Sequence, residues 1–199
     1  MASRKQLAAL VLLGLCAAAA AAGRELQAKK ATPYAANLYE AITKAKLVTL
    51  KAAIDASGLT MAFMNPNLDV TLFAPTEEAW QRFYRDCAKP PKKAADVAKY
   101  CSLNKLLTAN KQELQQFVQY MVLYGKATVE AGNDWWPKGR TFVKKPTLFN
   151  KNIMRLRYLA PYFEAHGTGR DGNVTIPNLG AGRSLLHVID NVPTYSPLG

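Results

Sequence analysis

Hydrophobic spacing divides the chain into a helical first half and a strand-rich second half. Over Asn37–Ser57 the apolar residues fall on two faces: Leu38, Ile42 and Ala45 on one, Leu47, Leu50 and Ile54 on another. The change of phase near Lys46 predicts two short helices rather than one, with Gly58 as the stop. Asp69–Ala74 alternates Val70, Leu72 and Ala74 with Thr71 and Phe73 and predicts a strand, broken by Pro75. Thr76 can cap the next helix, where Glu77 and Glu78 sit in the first turn and Ala79, Trp80, Phe83 and Tyr84 supply the buried side. Leu103–Leu107 and Lys111–Met121 also read as helical, the second through the stripe Leu114, Phe117, Val118 and Met121, with Gly125 ending the element. Beyond it the period shifts towards two. Strands are predicted over Lys126–Glu130, Thr141–Lys145, Asn152–Leu159, Asn173–Pro177 and Leu185–Tyr195. Helices first and strands later predict an α+β domain.

The N-terminus has a different pattern. Arg4 and Lys5 precede the uncharged run Leu7–Ala22, which ends Ala20-Ala21-Ala22. A basic head, an apolar middle and a small-residue end predict a signal peptide over residues 1–22. The run is short for a membrane span, and no later run approaches that length, so no membrane anchor is expected. Residues 23–33 are polar and basic and read as a flexible arm. Removal of the leader would leave two cysteines, Cys87 and Cys101, and an even count in a secreted chain predicts a disulfide. Asn173-Val174-Thr175 is a glycosylation sequon.

Two long segments and one shorter one resemble the fasciclin (FAS1) family. Val70–Trp80 contains Thr71, Phe73, Ala74, Pro75 and Thr76 in the order of that family's strand-to-helix segment. Leu185–Val192 contains His187, Val188, Ile189 and Asp190 as in its closing strand. Between them, Tyr120 begins a segment in which Met121 replaces the usual histidine. Order and spacing fit one domain over residues 34–195. The resemblance implies a twisted β-sandwich or wedge with helices along one side, and an extracellular role in adhesion or in matrix and cell-wall association. It implies no enzymatic activity. Asn178 and Leu179 stand where adhesive animal members carry Asp and Ile, and a neutral amide is a poor metal ligand, so an integrin-type receptor is not expected. The leader and the single domain look like those of secreted plant and green-algal members.

Charge narrows the possible partners. There are 26 Lys and Arg against 14 Asp and Glu, a formal net charge of +12. Asp134 and Glu164 bracket a stretch with no acid, which holds Lys138, Arg140, Lys144, Lys145, Lys151, Arg155 and Arg157. On the strand at Ile153–Tyr158, Arg155 and Arg157 point one way and Met154, Leu156 and Tyr158 the other. One cationic face suits acidic polysaccharide or other cell-wall and matrix glycans; such a face also serves solubility alone. Nucleic acid is not an expected partner of a secreted chain. The alternative is an apolar site built from Met61, Phe63, Met64, Met121, Trp135 and Trp136, which would take a small apolar molecule such as a carotenoid; the same residues suit an ordinary core. No other cofactor and no metal is expected. Gly167–Gly172 spells the glycine pattern of a dinucleotide site, but a strand-like run follows it, so a hairpin with Asp171-Gly172 at its turn is expected instead. His166 is placed in that loop. No nucleophile or metalloprotease motif is present, and His187 reads as a hydrogen-bonded core histidine.

Overall fold

A computed structural model describes residues 34–87, 101–149, 152–167 and 171–194. The leader, the arm and Lys151 lie outside the described residues. Helices α1 (Leu38–Lys44) and α2 (Val48–Ser57) meet where expected, because Lys46 adopts a left-handed φ of 57° and breaks the register. The Asn37 side chain accepts the Glu40 N–H (2.9 Å) and Glu40 accepts the Ala36 N–H (2.8 Å), a reciprocal cap. Leu47, in the corresponding place before α2, has no side chain able to cap. Glu77 supplies the cap from another helix: it accepts the Thr49 N–H at 2.9 Å and the Thr49 hydroxyl at 2.6 Å. Gly58 then ends α2 at φ 77°.

The short α3 (Thr60–Phe63) leads to β1 (Val70–Pro75). Thr76 caps α4 (Glu77–Cys87), its hydroxyl accepting the Ala79 N–H at 3.1 Å. A disulfide joins Cys87 to Cys101. Helices α5 (Leu103–Leu107) and α6 (Lys111–Tyr120) follow, capped by Ser102 and Asn110. The last helix stops earlier than Gly125, because Val122–Tyr124 peels off as β2 against β1.

The remaining strands are β3 (Val143–Pro146), β4 (Ile153–Leu159), β5 (Tyr162–His166), β6 (Asp171–Ala181) and β7 (Ser184–Ile189). They form one mixed sheet in the order β2-β1-β7-β6-β5-β4-β3, antiparallel except for β1 with β7. The sheet rolls until its ends meet: Leu123 of β2 bridges Thr147 just after β3, and the Leu148 N–H donates to the Val122 carbonyl at 2.8 Å. Rolling creates an inside and an outside, each with its own core. Outside, Val70, Leu72 and Ala74 pack with Leu186 and Val188 against the helices. Inside, Phe73, Tyr120, Leu123, Trp136, Met154, Leu156 and Ile189 fill the barrel-like interior. Both faces of β1 are therefore buried, and its alternation separates two cores rather than core from solvent.

Lys126–Glu130 is not a strand. Side chains take the backbone groups that a ladder would use. Thr71 donates to the Gly125 carbonyl (2.7 Å) and accepts the Ala127 N–H (2.8 Å). Asn178 accepts the Val129 N–H (2.8 Å) and donates to the Val129 carbonyl (3.1 Å). Asn178 itself has φ 59°, a left-handed conformation that asparagine tolerates, at an irregularity in the β6–β7 ladder. Asp171 and Gly172, expected at a hairpin turn, pair instead with His166 and Ala165 in the β5–β6 ladder.

Candidate functional site

The two long motifs read from the sequence are neighbours. Phe73 pairs with His187, Ala74 with Val188 and Pro75 with Ile189 across the parallel β1–β7 ladder. Their residues hold the fold together. His187 is fully buried; its Nδ1 accepts the Asn178 N–H at 2.9 Å and its Nε2 lies 2.8 Å from the Ala127 carbonyl. One nitrogen must accept and the other donate, which fixes the neutral Nε2–H tautomer. Burial pulls its pKa down from 6.5 to about 4. Asp190 accepts the Asn173 N–H (2.7 Å) and side-chain amide (3.1 Å). The sequon asparagine is thus held by an internal carboxylate. The buried Tyr120 hydroxyl donates to the Ile153 carbonyl at 3.3 Å.

The apolar candidates do not come together. Phe63 and Met121 belong to the outer core and Trp136 to the inner one, while Met61 (78% exposed) and Met64 (45%) project into solvent. Trp135 is half-buried beneath the Lys145 ammonium, 4.2 Å from the ring centre.

The described basic candidates separate into four groups. Lys145 pairs with the buried Met154, so it lies on the opposite face of the sheet from Lys144. Arg157 is neutralised by Glu164 at 2.6 Å. Lys144 and Arg155 are direct cross-strand partners, and Arg155 in turn faces His166. His166, expected in a loop, is the last residue of β5 and pairs with Asp171. One row therefore reads Lys144, Arg155, His166, Asp171 across β3, β4, β5 and β6. Like charges opposite one another in a sheet destabilise it. Phe142 offsets part of the cost, with the Arg157 guanidinium 4.3 Å and that of Arg155 5.2 Å from its ring centre. Lys138 and Arg140 are exposed in the loop before β3, where Lys138 forms one wall of an open groove of about 600 Å³ with Asn133, Asp134, Thr141 and Phe142. Sequence reasoning missed the row because alternation shows which residues share a face within a strand, not which strands are neighbours. Among the described residues no cluster of His, Cys, Asp and Glu has the makings of a metal site, and no helix is long and apolar enough to cross a membrane.

A rolled mixed sheet with helices packed on one side defines an α+β domain. The family model of the fasciclin domain matches residues 45–193, and the chain belongs to that family. Fasciclin domains occur in extracellular or secreted proteins and are generally non-enzymatic. The fold is also that of a FAS1 domain pair from the insect cell adhesion molecule fasciclin I, at a TM-score of 0.50 and 16% identity, covering 73% of this chain. The chain spans 43% of that structure's length. Among curated proteins none matches the sequence.

Proposed function

We propose that this is a secreted fasciclin domain that attaches to acidic polysaccharide of a cell wall or matrix through the outer face of β3 and β4. The observation that carries this reading is the cation row. Lys144 and Arg155 stand side by side with no carboxylate partner among the described residues, while the adjacent Arg157 is paired. An anionic group lying across them would relieve their repulsion and gain two charge-assisted hydrogen bonds. Lys138 and Arg140 extend the cationic surface along the chain of a long ligand.

Retention on an immobilised acidic polysaccharide tests the reading. Lys144→Glu with Arg155→Glu is expected to elute at much lower salt than the wild type, and Lys145→Glu, on the other face, to change elution less. Equal elution of the double variant and the wild type would remove the proposal. A second reading, a carrier of an apolar molecule such as a carotenoid, is favoured by Met61 and Met64, two exposed methionines three residues apart. A native preparation with a visible absorbance band would support it; a colourless one that fails to solubilise added carotenoid would count against it.

A further inference from the structure

The cation row has an unusual third member. His166 lies on the same face as Arg155 and is held between two carboxylates: Nε2 is 2.7 Å from Glu164 Oε2, and Nδ1 is 2.7 Å from Asp171 Oδ2. A neutral imidazole has one N–H and one lone pair, so it can donate to only one of them. Its other nitrogen then faces a carboxylate oxygen with no proton between. Only the doubly protonated ring satisfies both contacts. The Phe142 ring covers the imidazole edge-on, 4.6 Å between centres.

We propose that His166 is a protonation gate for the polyanion site, so that attachment strengthens as the surroundings become acidic. This rests on the polysaccharide reading above and names the regulation of that same face. The groups facing His166 are Lys144 on β3, Arg155 and Arg157 on β4, Glu164 on its own strand, and Asp171 on β6. Glu164 is already shared with Arg157 and cannot turn to Arg155 without giving up that pair. Asp171 is the more exposed of the two carboxylates. Its carboxylate is 53% exposed, whereas those of His166 and Glu164 are 12% and 14% exposed. With the ring neutral, one of the two carboxylates faces a bare nitrogen lone pair. With the ring protonated, both carboxylates are held and the face gains one positive charge next to Arg155. The added charge favours an anionic ligand.

The probe is a sulfated polysaccharide such as heparin, whose sulfates stay ionised across the range tested. Binding is measured for the full mature chain at pH 5.5 and 7.5 and at fixed, low ionic strength. The wild type is expected to bind about threefold tighter at pH 5.5, the size of one added charge on a partly exposed face. His166→Gln is expected to match the wild type at pH 7.5 and to lose that gain. His166→Arg is expected to bind at pH 7.5 as the wild type binds at pH 5.5, and it keeps the test informative if the glutamine variant fails to fold. Wild-type binding that is present at both pH values but unchanged, or an equal gain in His166→Gln, overturns the gate and leaves the parent reading standing. No wild-type binding at either pH removes both.

Discussion

The second histidine makes a sharp thermodynamic prediction. His187 is 0% exposed and neutral in the fold, with a pKa drawn down from 6.5 to about 4 by burial. In the unfolded chain the ring titrates normally. Between the two values the unfolded state therefore binds the proton that the folded state refuses, and stability falls as pH falls. Each pH unit in that window is worth about 1.4 kcal/mol, so lowering the pH from 7 to 5 is expected to cost about 2 kcal/mol through this residue alone. Urea unfolding at pH 7 and pH 5 measures it. His187→Gln keeps a polar side chain opposite Ala127 but cannot titrate. It is expected to be less stable than the wild type at pH 7 by about 1–3 kcal/mol, for the buried hydrogen bonds it disturbs. Its loss between pH 7 and pH 5 is expected to be about 2 kcal/mol smaller than that of the wild type. Groups other than His187 contribute alike in both proteins and cancel in the difference. The same pH dependence in both would refute the neutral, buried assignment of His187.

Three other outcomes follow from the same contacts. Glu77→Ala removes the side-chain cap at the N-terminus of α2 and is expected to cost about 1 kcal/mol in chemical denaturation. Asp190→Ala strips the Asn173 N–H and amide of their shared acceptor and is expected to cost about 1–3 kcal/mol. Because that amide nitrogen is engaged in the fold, glycan addition to refolded protein is expected to be slow in the wild type and faster in Asp190→Ala, as read by intact mass.

Local signals carried much of the fold. The phase change at Lys46, the Gly58 stop, the Thr76 cap and the two long family segments each lie within a few residues, and each names its own cause. What was not legible depends on distant partners. Lys126–Glu130 has the pattern of a strand, but Thr71 and Asn178 bind its backbone from far along the chain. Glu77 reads as a residue favoured by its own helix dipole, and it also caps a different helix. For the site, alternation placed Arg155 and Arg157 on one face correctly. It could not show that Glu164 neutralises one and leaves the other beside Lys144. The isolated histidine of a glycine-rich loop became the centre of a charge row only through the β4–β5–β6 register.

The position of β7 has a consequence for how the domain is made. It inserts between β1 and β6, and Ser184 contacts Val70 across a separation of 114 residues. Until the last strand leaves the ribosome, β1 and β6 each present an unpaired edge, and neither core can close. Such long-range pairing delays folding, because the loop entropy is lost before the contact is gained. A chain truncated before Ser184 would thus leave open strands rather than a smaller domain, and its hazard would be aggregation at those two edges.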